Sequence, residues 1–293
     1  MATAVTRSIV AGRPATAVPA QPMAYVLAGA LALVSAAGCA LMLLFRAAFR
    51  GPEVSIGSAQ GTALVVLVVT VPVLVVSMIL VARGVAGAVI GWLGAAGSIA
   101  YHSVLFLFAT PFNSFFFLNV AMLGLAVYSL IALAGRLPVT EVARRVGTHA
   151  PVRVIAAYLL LNAVLYLALW LSDTVPAVVT GEPPAFLEGS GMLTGVVQVL
   201  DLAFTLPLMT ASAYQLLRRR PWGFVLAGSL LVMLAIETAS IGVDQWLGHA
   251  ADPASTVASA AMTPVFGALT LVGLAALGLF LRPGRGAGVP GRT

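Results

Sequence analysis

Three ionisable side chains stand deep inside otherwise apolar stretches: His102, Asp201 and Glu237. A charge at such a depth is costly unless it is paired, neutral or in contact with water. The two acids are therefore expected to be neutral or paired with His102. A neutral carboxylic acid in an apolar pocket can donate a proton, and a carboxylate beside an imidazole can carry one or orient a cation.

Their neighbours at helical spacing are polar as well. Thr194, Gln198, Asp201 and Thr205 fall on one helix face, and Pro207 follows where it can loosen the helix and free backbone carbonyls. Ser229, Met233, Glu237, Ser240 and Asp244 repeat this spacing, and Tyr158, Asn162, Tyr166 and Asp173 form a third stripe. His102 continues a seam of small residues, Gly84, Gly87, Gly91, Gly94 and Ser98, which lets another helix approach closely. Asn119 lies at a similar depth beyond the turn Thr110-Pro111-Phe112-Asn113. The expectation is one outward-opening polar pocket drawn from Asp201, Glu237, His102, Gln198, Asn119 and Asn162. It requires the glycine seam to pack on the sixth or seventh span. Packing on the second or fourth would make His102 structural. For the neutral polar residues, bonding between helices at roughly 0.6 kcal/mol each is the simpler role.

Other chemistries lack their residues. No lysine is present, so a retinal Schiff base is excluded. His102 is the only histidine within a span, against haem held by two intramembrane histidines, and there is no HExxH motif or phosphate-binding glycine loop. Ser190, between Gly189 and Gly191, lies in a loop without a partnered histidine. Cys39 is the single cysteine, which rules out an internal disulfide or a thiolate cluster. Although Cys39 follows Ala36-Ala37-Gly38, the apolar run continues past it, unlike a cleaved signal. No metal or cofactor is expected.

The elements that must position these residues are membrane spans. The 293 residues are 61% hydrophobic and 8% charged, against roughly a quarter charged in soluble domains. The fold class expected is all-α: a polytopic transmembrane bundle of about eight helices, near 23–45, 61–82, 85–108, 114–135, 153–173, 192–216, 222–246 and 257–281. Residues 1–22 and 282–293 are expected to be cytoplasmic tails, the first of them disordered. Residues 137–151 suggest a short amphipathic helix on the inner interface, with Thr140 as its cap. Residues 174–191 read as a solvated connector, with a lid over a vestibule as the alternative.

All 15 basic residues are arginines, giving a net charge of +6. With a cytoplasmic N-terminus, all but Arg46 and Arg50 fall on the inner side, as the positive-inside rule requires. Both termini are then cytoplasmic, and nucleic acid is not needed to explain the basicity. The lysine-free, Ala- and Gly-rich composition suggests a bacterial protein of the plasma membrane, with membrane lipids as partners. Arg218, Arg219 and Arg220 are candidates to grip an anionic lipid headgroup. The four tryptophans and Phe115-Phe116-Phe117 suit packing and interfacial anchoring.

Two stretches, Tyr101-His102 through Pro111-Phe112-Asn113 to Phe117-Leu118, and Leu200-Asp201 with Pro207 and Arg218-Arg219-Arg220-Pro221-Trp222-Gly223, resemble a family of bacterial polytopic membrane proteins of unknown activity. The resemblance covers about a third of the chain. It implies that Asp201 and the Arg-Pro-Trp-Gly turn are family features, and that His102 stands where the family has Asn.

Three functions compete. Acids near the midplane and a proline-broken helix suit transport of a small solute coupled to protons, although no clear internal repeat is visible in the sequence. Asp201 and Glu237 also resemble, in logic but not in motif, the acid pair of transmembrane terpene cyclases, which implies an enzyme acting on an isoprenoid or lipid. The third reading is a non-catalytic membrane component held together by its polar residues.

Overall fold

The computed structural model describes residues 22–147 and 149–282. Eight helices in it are long and apolar enough to cross a membrane, and no strand occurs among the described residues. The chain is an all-α, multi-pass membrane bundle. The expected tails lie outside the described residues, apart from Pro22 and Arg282.

The first span is α1 (Pro22–Leu44). The second is α2 (Glu53–Val65) continued by α3 (Val71–Ala82) across a π-helical turn, Val66–Thr70. The third and fourth are α4 (Val89–Phe108) and α5 (Phe116–Ala134). A short helix, α6 (Val139–Gly147), precedes the fifth span, α7 (Val152–Thr180). In the sixth, α8 (Val196–Leu200) and α9 (Leu206–Leu217) are joined by a second π-helical turn, Asp201–Thr205. The last two are α10 (Pro221–Ala251) and α11 (Met262–Phe280).

Several helices outrun their expected ends. The second span begins at Glu53, not near residue 61, because its polar first turns are covered by protein. A Cβ on Gly57 would strike the Leu247 carbonyl, and one on Gly61 the Asp244 backbone, so α2 and α10 touch backbone to backbone there. Only small residues allow that approach. The same contact explains why α10 runs on to Ala251. It is the most buried span and packs against α2, α4, α9 and α11. The α7 and α11 surfaces are mostly exposed at the bundle periphery.

Loop contacts sort the two ends of the bundle. Gly51 meets Pro111, Gly191 meets Pro52, and Gly248 meets Ala258, which gathers the 45–52, 109–115, 181–195 and 252–261 connections at one end. At the other, Gly87 meets Val146 and Gly147 meets Phe224. That second end carries Arg83, Arg136, Arg144, Arg145, Arg153, Arg218, Arg219, Arg220 and Arg282. The exceptional Arg46 is ion-paired with Glu53 and donates to Gln60 Oε1 at 2.6 Å, so its charge is matched locally.

The short α6 starts at Val139 and contains Thr140 instead of being capped by it. Val142, Ala143 and Val146 form its buried face, and the Gly87 and Phe224 contacts show that this face rests on protein. Glu141 on the opposite face accepts bonds from Arg144 and Arg145 at 2.7–3.0 Å.

Candidate functional site

The glycine seam of α4 divides its contacts. A Cβ on Gly87 would meet Val146, one on Gly91 would strike the Ser77 hydroxyl of α3, and one on Gly94 would strike Val232 and the Ser229 carbonyl of α10. Span three therefore packs on both spans two and seven. Its lower-numbered part meets α6 and α3, and from Gly94 onward it reaches α10. One turn past Gly94, Ser98 donates to Glu237 Oε1 at 2.7 Å. One turn further, His102 Nε2 lies 3.0 Å from Glu237 Oε2. The imidazole is almost wholly buried, and its Nδ1 has no partner. A neutral His102 that donates through Nε2 thus keeps a free lone pair on Nδ1.

Asp201 is held separately. Tyr101 Oη donates to its Oδ1 at 3.2 Å and Trp170 Nε1 to its Oδ2 at 2.9 Å. Tyr101 precedes His102 on α4, so adjacent residues reach the two acids. Tyr166 of α7 lies within electrostatic range of both carboxyls. Sequence reasoning had missed the roles of Tyr101 and Trp170. Trp170 suited interfacial anchoring, yet it lies one turn past Tyr166 on the same face of α7, which was the available signal. Trp92 takes the packing role expected of the tryptophans, being buried edge-on to Tyr25.

The remaining candidates are dispersed. Gln198 lines a cavity of about 730 Å³ between the end of α7, the 181–195 loop and α8, so that loop walls a vestibule. Asn119 is buried with its Oδ1 unpartnered. Asn162 donates back to the Tyr158 carbonyl at 2.8 Å, a bond within its own helix. Arg219 and Arg153 line a cavity of about 430 Å³ at the arginine-rich end, while Arg218 lies over the Tyr214 ring at 5.4 Å and Arg220 is exposed. Asp244, at the end of the stripe that carries Glu237, is a fourth ionisable group within the bundle. Thr62 donates to its carboxyl at 3.0 and 3.1 Å.

The elements around the site recur at a fixed offset. The π-helical turns Val66–Thr70 and Asp201–Thr205 start 135 residues apart. The same offset relates Thr70 to Thr205, Pro72 to Pro207, Ser77 to Ser212 and Arg83 to Arg218. It also relates Gly84 to Arg219, both at positive φ, and His102 to Glu237. The cause of each π turn is shared: a proline has no N–H for the carbonyl four residues back and its ring crowds it, so the helix widens ahead of Pro72 and Pro207. In both halves the broken span packs on the next one, α3 on α4 and α9 on α10. That next span then packs on its successor, α4 on α5 and α10 on α11. His102 and Glu237 thus stand at matching distances after the two π turns, and they meet where α4 crosses α10.

The three cavities lined by Gln198, by Asp244 and by Arg219 do not include His102, Asp201 or Glu237 in their walls. Among the described residues, no three His, Cys, Asp or Glu side chains come together as a metal-ligand set. Comparison with protein-family models, curated proteins and solved structures gave no match.

Proposed function

We propose that this integral membrane protein is a proton-coupled transporter of a small solute, with the Glu237–His102 pair binding and releasing the coupling proton. One observation carries the reading: two positions 135 residues apart, each in the span after a proline-broken one, meet as a carboxylate–imidazole pair. Transporters built from repeated halves place their coupling sites at the repeat interface, beside discontinuous helices that can rearrange. The chemistry suits the role. With His102 neutral and Glu237 ionised, the pair carries one buried negative charge, and a proton accepted at the free Nδ1 cancels it. Asp201, bonded by Tyr101 next to His102, is a second acid close to the pair. The bacterial plasma membrane is the setting that the composition and the arginine bias favour. An enzyme using Asp201 as general acid is less well supported, since both its oxygens accept hydrogen bonds and it lines none of the three cavities.

The test uses the full chain in proteoliposomes with a trapped pH dye and an imposed pH gradient. Small amines, amino acids, sugars and organic acids are added in turn. At least one class is expected to evoke proton movement that Glu237→Gln abolishes while remaining folded. Flux that survives Glu237→Gln would remove the pair from the mechanism, and no flux with any class would sink coupled transport.

A further inference from the structure

Under the loop that carries Ser190 lies a cavity of about 140 Å³ whose wall includes Asp244. Asp244 is enclosed by α2 and α10, and it keeps some accessible surface while lining this cavity. Its carboxyl accepts from Thr62 alone, and no basic side chain pairs with it among the described residues. A buried carboxylate without a counter-charge calls for a cation or a proton.

The hydroxyls around it are aligned for a cation. Ser55 donates to the Ser190 carbonyl, Ser58 to the Asp244 carbonyl, Thr110 to the Phe106 carbonyl and Ser190 to the Leu187 carbonyl. Every hydroxyl proton is thus committed to protein, and what remains for the cavity is oxygen lone pairs. No arginine or histidine lines it. The rest of the lining is apolar, and includes Leu105, Phe106, Met192, Val197 and Val257. A bare alkali ion would have that hydrocarbon in place of part of its hydration shell. A primary ammonium on a short alkyl body satisfies both parts of the lining: three N–H donors for the carboxylate and hydroxyl oxygens, and an alkyl part for side chains such as Leu105 and Val197.

We infer that this cavity is a binding site for a small primary ammonium ion, with Asp244 as its counter-charge and Ser55, Ser58 and Thr62 as acceptors. Asp244 lies two turns along α10 from Glu237, on the same face. Where the transport reading holds, the inference names the solute class. The binding itself is independent of that reading, and failure of proton coupling would leave it intact.

Thermal unfolding of the full chain in lipid nanodiscs, at constant ionic strength, tests it with n-propylammonium, sodium and tetramethylammonium chlorides. Propylammonium should raise the midpoint saturably, while sodium and tetramethylammonium, which offer no N–H donor, should not. Asp244→Asn should abolish the shift, and Ser58→Ala should weaken the apparent affinity about tenfold, as expected for losing one hydrogen bond to a charged group. The inference is overturned if the three salts act alike, or if Asp244→Asn keeps the propylammonium shift. If Asp244→Asn does not fold, Ser58→Ala decides, and an unchanged affinity in it would overturn the site.

Discussion

Trp170 and Tyr101 approach Asp201 as donors, one to each oxygen. An amide at 201 can accept from Trp170 through its carbonyl and donate to the Tyr101 oxygen, so Asp201→Asn should fold. A guanidinium has only donors and would face a donor it cannot match, so Asp201→Arg should fail to accumulate in the membrane. Equal expression of the two variants would contradict this bonding. Trp170→Phe keeps the ring packing but removes one donor, and should destabilise by about 1–3 kcal/mol in thermal or denaturant unfolding. Outside the spans, hydrogen bonds from Arg144 and Arg145 hold the Glu141 carboxyl at about 2, below the usual 4.5. With the folded value depressed, any stability from this clamp is complete above the ordinary range and is lost as pH falls toward 2. A carboxyl NMR titration of Glu141 should show its midpoint near 2, and a midpoint near 4.5 would mean that the clamp is open in solution.

The glycines of the transmembrane helices separate into two kinds. A Cβ on Gly94 would lie 2.6 Å from Val232 Cβ and 2.7 Å from the Ser229 carbonyl, whereas one on Gly124 meets nothing within 4 Å. Gly94→Ala must therefore push α4 off α10 and should cost about 1–3 kcal/mol, in the range of overpacked cores. It should also separate His102 from Glu237. Gly124→Ala should be neutral or slightly stabilising, by up to about 1 kcal/mol of helix propensity. Unfolding midpoints of both variants in detergent check this. Equal effects would mean that α4 and α10 are not in backbone contact.

Across the whole molecule, nine of the eleven arginines among the described residues gather at one end of the bundle, Arg46 and Arg50 being the exceptions, and the cavities walled by Gln198 and Asp244 open near the other. From the positive-inside rule we propose that the arginine end faces the cytoplasm. A reporter active only in the periplasm should be silent when fused after Leu281 and active when inserted within residues 181–189. The opposite pattern would invert the bundle and turn both cavities inward. Spans one to four and spans five to eight are each an even number, so the two proline-broken spans, and likewise α4 and α10, run through the bundle in the same direction.

Span number, the arginine asymmetry and the depth of His102, Asp201 and Glu237 follow from the sequence alone. Each is set by one-dimensional quantities: apolar run length against membrane thickness, and polar residues within those runs. Helical spacing also brought Ser98 onto the His102 face. Which helix each stripe would meet was decided by tertiary packing. The Gly57 and Gly61 contacts carried α2 and α10 past their hydrophobic limits, because helix–helix burial can cover polar turns that hydropathy assigns to loops. For the same reason Asp244 became an interior residue. The 135-residue recurrence was hidden because few side chains repeat. What recurs is backbone geometry, a π turn forced by a proline and a positive-φ corner, and such geometry tolerates many sequences so long as the proline stays in place.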